Sequence, residues 1–363
     1  MIVAGAGPAG SACAIALAAA GRDVALIDRP RPFVRGGDVL PPEVRPVLEE
    51  LGVWERFRAD GHVVSPGVLI AWGQEEPVAQ DYIWSAHGNG WHVDRRRFDA
   101  MLAQAAARAG AVVHRATRAT AAEPRHAGWR VVLERGAQAF AVDAEFLVDA
   151  TGRAASLSPR TVAPTRAHDR LVGVVVLSSE PVGDRWSDPR MLVEATPSGW
   201  WYSAVLPGAG AVIAWMTDPE PRALGARDVR ELWRRELRQA LHTRERLARA
   251  SDGEPRVVVA RSCRRRAAHG RWMAVGDAAC AFDPLSGRGV MRALETGVSA
   301  AAAVVATADA RGSPLDRYAG AVEADFERFL QLQAAYYSEE GRWPHAPFWK
   351  RRRSRVPAFT SPP

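Results

Sequence analysis

The chain opens on a short apolar run at residues 2–4, a glycine turn, and then "SACAIALAAA", where almost every side chain is small or apolar. This pattern predicts a buried strand, a buried helix closed by Gly21, and a second strand, "RDVALID", ending at Asp28. Residues 34–57, "VRGGDVLPPEVRPVLEELGVWERF", read as a Gly/Pro loop and then one amphipathic helix. A further helix is expected from about 97 to 109. "GWRVVLERGAQAFAVDAEFLVDATGR" alternates apolar and polar positions around the turn "RGAQ". It predicts a hairpin or meander and then a buried strand, "FLVDATG", closing on Gly152. "RLVGVVVLSS", "RMLVEATPSGWWYSAVLP" and "AVIAWMT" predict more strands, followed by a long polar helix over 228–250 and the strand-like "PRVVVARS". The opening pattern then resumes at "RWMAVGDAA", and "MRALETGVSAAAAVV" reads as a helix.

An α/β unit interrupted by a strand-rich insert implies two discontinuous domains. The predicted division places 1–60, 90–160 and 265–312 in one domain, and 61–89 and 161–264 in a mostly antiparallel second one. Residues 313–363 form a C-terminal helix and extended arm, whose end, "GRWPHAPFWKRRRSRVPAFTSPP", reads as extended or partly disordered.

Gly5-x-Gly7-x-x-Gly10 lies between the first strand and the first helix, and an acid, Asp28, ends the second strand. This is the context of a dinucleotide fingerprint. Gly5 makes the tight turn, Gly7 admits a pyrophosphate near backbone, and Gly10 lets helix and strand pack closely. Ala6, Pro8 and Ala9 complete the loop, whose helix start offers free N–H groups to phosphate; Asp28 can accept the hydroxyls of an adenosine ribose, and the adjoining Arg29 is a further cofactor-binding candidate. Only four residues precede Gly5, so the start codon is expected a few codons upstream. The fingerprint alone does not separate NAD from FAD.

Residues 276–290, "GDAACAFDPLSGRGV", do separate them. If the strand before Gly276 lies beside the first strand, the Asp277 carboxylate faces the same crevice and suits a sugar-alcohol hydroxyl. The turn at Pro284 then leads into a helix whose first N–H groups, from Gly287 through Gly289 to Val290, face a partial negative charge. A reduced flavin is negative at its pyrimidine edge, and a nicotinamide needs no such site. Arg95, before the helix expected near 97, either reaches a pyrophosphate or is an exposed helix-start arginine.

Composition adds exclusions. The formal net charge is +7, but only one of the 48 basic residues is lysine, Lys350, which reads as a coding bias toward arginine. The arginines are scattered apart from "RSCRRR" (261–266) and "KRRRSR" (350–355), so a solvated basic face is expected and no nucleic-acid partner. Three dispersed cysteines fit a reducing cytoplasm, and no Cys/His spacing suggests a metal. No run reaches the roughly 18 apolar residues of a membrane span, so no transmembrane segment is expected.

Three motifs in order, "GAGPAG" with Asp28, "DATGR" at 149–153 and "GDAACAFDPLSGRGV", make the chain resemble FAD-dependent monooxygenases of the p-hydroxybenzoate hydroxylase fold. The resembled branch also holds the tryptophan halogenases. The resemblance implies a Rossmann-like FAD-binding domain with an inserted antiparallel substrate domain. It also implies Asp277 on the ribityl chain, Pro284 beside the ring, and Arg95 on the pyrophosphate. "GDVLPPEVRPVLEELG", "GNGWHVDRRRFD", "GWWYSAVLP" and "GRWPHAPFW" resemble, more narrowly, flavoprotein maturases of cysteine tryptophylquinone enzymes, with Asp38 standing where a glutamate is expected. That implies dioxygen chemistry through a flavin C4a-hydroperoxide on an aromatic small molecule or on a tryptophan of a partner protein. The electron donor is left between NAD(P)H and a reductase partner. Halogenation is disfavoured because no lysine precedes Lys350. A reductase without oxygen insertion and a non-catalytic FAD-containing binding protein are the other readings. Trp200, Trp201, Trp215, His92 and Ser286 are candidate substrate-pocket residues, Asp283 is a possible polar group near the flavin, and no catalytic base is assigned.

Overall fold

The computed structural model describes residues 1–29, 38–158, 163–178, 188–208, 210–218, 226–247, 253–307 and 313–353. Its first layer is a six-stranded sheet in the order 268–269, 272–274, 147–149, 2–4, 25–28, 112–115. All neighbours pair in parallel except 268–269 with Trp272–Ala274. Strand Ile2–Ala4 has its sequence neighbour Ala25–Asp28 on one side and the distant Leu147–Asp149 on the other. The strand order reverses there, so a crevice opens beyond the carboxyl ends of these strands.

Helix Pro8–Ala19 lies buried over this sheet, and helix Gly289–Ala306 packs on it. Small residues allow the contact: a Cβ at Gly297 would overlap the Ala9 carbonyl oxygen. By length and composition Gly289–Ala306 is the one helix, among the described residues, apolar enough to cross a membrane. Its buried face fills the core with Met291, Leu294, Ala300 and Ala301. Helix Arg95–Arg108 begins two residues earlier than the spacing predicts, because Asp94 caps it by accepting from the Arg96 and Arg97 amides at 2.8 and 3.1 Å. The predicted hairpin is a three-stranded meander, Thr117–Arg125, Gly128–Arg135 and Gln138–Ala144.

The second large layer is a seven-stranded sheet in the order 256–259, 172–178, 211–217, 199–205, 191–196, 67–71, 78–81. It is antiparallel apart from Met191–Thr196 beside Gly67–Ala71.

Three expectations need correction. The single helix expected within 34–57 is a strand, Asp38–Leu40, and two short helices, Val44–Glu50 and Trp54–Ala59. Gly52 breaks them apart with φ +66°, and 34–37 lies outside the described residues. The long polar helix is likewise two, Ala226–Leu237 and Leu241–Leu247. The arm expected to be extended folds back as helix Pro347–Arg353, with Phe348 and Trp349 buried against Trp200, Tyr337 and Met216. Its aromatic residues find apolar partners that a Pro- and Arg-rich composition does not reveal; 354–363 lies outside the described residues.

Candidate active site

A single cavity of about 590 Å³ runs along the crevice and onto the face of the seven-stranded sheet. One end is floored by the glycine turn. Gly5 takes φ +118°, and a Cβ there would overlap the Ala150 carbonyl oxygen. A Cβ at Gly10 would overlap the Gly5 carbonyl oxygen, so Gly10 lies beneath the floor and not on it. Gly5, Ala6, Gly7, Pro8 and Ala9 line the cavity directly. Gly7 is the N-cap of helix Pro8–Ala19 and has no side chain to satisfy the first amides, which leaves them available to an anion.

Arg29 and Arg118, both exposed, line the same end together with Thr117 and Ala119. Asp28 does not line the cavity; its carboxylate is 3.9 Å from Arg115 Nη1. Arg95 does line it, but its guanidinium is buried between two acids. It pairs with Asp38, and its Nη2 stands 3.2 Å from Asp99 Oδ1. These carboxylates hold the Arg95 pKa above the ordinary arginine value despite burial.

Asp149, of "DATGR", is fully buried and faces its own loop. It accepts from Thr151 N (2.9 Å), Thr151 Oγ1 (2.6 Å), Ser158 Oγ (3.0 Å) and Leu157 N (3.2 Å). Burial pushes its pKa up and these donors oppose the rise. The loop it shapes presents Thr151, Gly152 and Arg153 to the cavity. Arg153 Nε lies 3.3 Å from Asp277, and its two Nη atoms donate to the Arg261 and Phe282 carbonyls at 2.8 and 2.9 Å. One guanidinium therefore ties together three segments far apart in sequence.

At the other end stand Asp277, Asp283, Pro284, Leu285, Ser286, Gly287, Gly289 and Val290. Gly287 has φ +61°, and neither it nor Gly7 nor Gly289 has any atom within 4 Å of where a Cβ would sit. Asp283 is buried and accepts from Leu285 N (2.9 Å), Gln333 Nε2 (2.9 Å) and Tyr337 Oη (2.8 Å). Burial pushes its pKa up. Facing this loop is an apolar wall of Val175, Met191, Val193, Trp200, Tyr202, Met216 and Val258.

The candidate tryptophans divide by strand alternation. Trp200 points into the cavity. Trp201, next in strand Gly199–Val205, points to the opposite face with its register partner Trp215. There the two rings stack at 6.0 Å, and Trp233 meets Trp201 at 5.6 Å. Trp201 and Trp215 are thus core residues. His92 is also outside the cavity: fully buried, it donates from Nε2 to the Pro189 carbonyl at 2.6 Å. Sequence reading passed over Tyr202, Arg118 and Arg153. Alternation from Trp200 marks Tyr202, and the arginine of "DATGR" was in view; nothing local distinguishes Arg118 from its many neighbours.

The donor set and the shape suit FAD. Free helix-start amides lie at one end, and at the other lie Asp277 and a loop whose glycines leave its backbone bare toward the cavity. Residues 1–331 match the FAD binding domain family. The chain belongs to that family. The protein is an FAD-dependent oxidoreductase of the p-hydroxybenzoate hydroxylase fold. It is 26% identical over 366 residues to the FAD-dependent oxidoreductase LodB of Marinomonas mediterranea, covering 97% of this chain and 96% of that one. Its fold matches the myxobacterial chondrochloren halogenase CndH, with a TM-score of 0.86, 23% identity, and 97% and 85% of the two chains covered. It also matches the peptidyl tryptophan dihydroxylase QhpG, essential for tryptophylquinone cofactor biogenesis, with a TM-score of 0.80, 23% identity, and 97% and 77% covered.

Proposed function

We propose that this flavoprotein is a monooxygenase that hydroxylates an electron-rich aromatic ring, the ring being a tryptophan carried by a partner polypeptide. The observation carrying this reading is the apolar wall of Trp200, Tyr202, Met191 and Met216, which shares one cavity with the loop 283–290. Bound FAD supplies the activation of dioxygen, and the chain's own residues do the rest. Gly5–Ala9 would hold the phosphates, with Arg95 fixed beside them by Asp38 and Asp99. Asp277, steadied by Arg153, would hold the ribityl chain, and the backbone from Gly287 to Val290 would meet the pyrimidine edge. The apolar wall excludes water and orients the ring. The seven-stranded sheet with its flanking strand pair, 67–71 and 78–81, is the substrate domain in this reading.

The fold shared with QhpG, a peptidyl tryptophan dihydroxylase, supports a protein-borne tryptophan over a small molecule. Halogenation is disfavoured: Lys350 is exposed on the C-terminal helix and does not line the cavity. The three cysteines are free and buried, in keeping with a cytoplasmic setting. The test is turnover under isotope-labelled dioxygen with a tryptophan-containing peptide and with free indole as probes, first with NADH, then NADPH, then a flavin reductase. Label in the peptide product supports the reading, and the active donor identifies the reductant. Oxidation of the donor with no label in either probe would establish a reductase or uncoupled oxidase instead.

A further inference from the structure

The cavity wall continues into an aromatic chain that leads out of the protein. Trp200 lines the cavity, and its Nε1 donates to Tyr337 Oη at 3.0 Å. The Tyr337 ring lies 5.9 Å from Trp349 and 5.7 Å from Trp72, which are themselves 5.2 Å apart. Trp349 stacks on Trp343 at 6.1 Å and an interplanar angle of 30°. Trp200, Tyr337 and Trp349 are buried, whereas Trp343 is half-exposed. The rings come from strand Gly199–Val205, helix Pro314–Glu339 and the C-terminal segment, so only the fold makes them contiguous.

The tyrosine is also equipped to lose a proton. Tyr337 Oη donates to Asp283 Oδ2 at 2.8 Å. The Arg352 guanidinium lies over the Tyr337 ring at 5.0 Å, which disfavours any state in which that ring keeps a positive charge. An oxidised Tyr337 must therefore shed its hydroxyl proton, and Asp283 already accepts it. Burial raises the proton affinity of that carboxylate. A purely structural hydrogen bond does not require this alignment of acceptor, donor and ring series.

We infer that Trp200, Tyr337, Trp349 and Trp343 form a route for single electrons between the FAD cavity and the surface, with Asp283 holding the Tyr337 proton. A hydroxyl radical, formed when a peroxide in the cavity breaks down without substrate, takes one electron from the Trp200 indole and leaves as hydroxide, which a solvent proton converts to water. Trp200 recovers it from Tyr337, whose proton passes to Asp283. Tyr337 then recovers an electron through Trp349 from Trp343 and takes its proton back from Asp283. Trp343 loses a proton to water and is restored by an external one-electron donor such as a thiol. The route protects the cavity when dioxygen is activated with no aromatic ring in place, a role that rests on the monooxygenase reading; the route itself needs only bound FAD.

The experiment therefore uses light. Blue excitation of oxidised FAD in the holoprotein makes the flavin a one-electron acceptor, and transient absorption follows the radicals. The expected result is a long-lived tryptophan radical whose yield falls at least about fivefold in Trp343→Phe. In Tyr337→Phe its formation slows and loses its solvent-isotope effect. Trp343→Phe keeps an aromatic ring at a half-exposed position, and its flavin content and melting temperature verify the fold. A long-lived radical of unchanged yield in Trp343→Phe, or none in the wild type, would overturn the route. A second readout maps oxidised residues by mass spectrometry after substrate-free aerobic turnover. Oxidation concentrated at Trp343 supports the route, and oxidation confined to Trp200 and Tyr202 refutes it. Neither readout depends on whether labelled oxygen enters the peptide.

Discussion

Gly7 and Gly10 lack the same methyl group for opposite reasons. At Gly10 the missing Cβ is required for packing, since backbone already occupies its place; at Gly7 it leaves the cavity open. Such distinctions extend to buried side chains that look functional. His92 was a candidate for the substrate pocket, yet it is a neutral core histidine whose pKa burial lowers to about 4. The sign of its effect follows. Unfolded chains bind this proton below about pH 6.5, whereas the folded protein refuses it until about pH 4. The stability it contributes is fully present above pH 6.5 and is lost as the pH falls from there toward 4. The loss is up to about 3 kcal/mol. His92→Gln can still donate to the Pro189 carbonyl and carries no titrating group. Urea unfolding at neutral pH and near pH 4.5, compared between wild type and His92→Gln, should show the wild type losing more stability on acidification. Equal losses would mean that His92 is protonated in the folded state.

At the scale of elements, strand Gly199–Val205 shows what a sequence can and cannot reveal. Its strand character was legible, but a period of two sends Trp200 and Trp201 to opposite faces, so the expectation that both line the pocket fails. Which face meets the cavity was not legible, because that depends on the register with Ala211–Thr217 and on what covers each side. Helices Ala226–Leu237 and Leu241–Leu247 cover the Trp201 face, while the crevice and the C-terminal segment cover the Trp200 face. The glycine turn and the loop 276–290 were legible because their demands are local: a positive φ, a bare backbone, a helix start. The docking of Phe348 and Trp349 was not, since the wall they dock on, with Trp200, Met216 and the Thr196 carbonyl, lies over a hundred residues earlier. The two tryptophans therefore make a matched pair of substitutions. Trp201→Ala should cost about 3–5 kcal/mol of stability. It should leave the absorption and fluorescence of bound FAD unchanged. Trp200→Phe should cost less stability and change the flavin fluorescence lifetime, because the removed indole belongs to the cavity wall. A flavin signal that responds to Trp201 and not to Trp200 would reverse the assignment of faces.

At the scale of the whole molecule, the cavity is assembled from segments spread between Ala4 and Ala293, and both large sheets line it. The parallel sheet supplies the glycine turn and Asp277, and the seven-stranded sheet supplies the apolar wall. Arg153 bridges from the loop after one strand to the carbonyls of Arg261 and Phe282. A ligand that touches all of these binds only when both sheets are folded and docked, so its binding energy is shared between them. FAD at about 100 times its dissociation constant should stabilise the protein by about 2.7 kcal/mol. If the cavity is one site, that gain is not confined to the parallel sheet. Hydrogen exchange at the amides of Ile2–Ala4 and of Gly199–Val205 should slow together as FAD is added, each by up to about 100-fold where exchange proceeds through global opening. Protection at Ile2–Ala4 alone would mean that the seven-stranded sheet opens independently of the cofactor. The wall formed by Trp200 and Tyr202 would then lie too far from the flavin to position an aromatic ring against it.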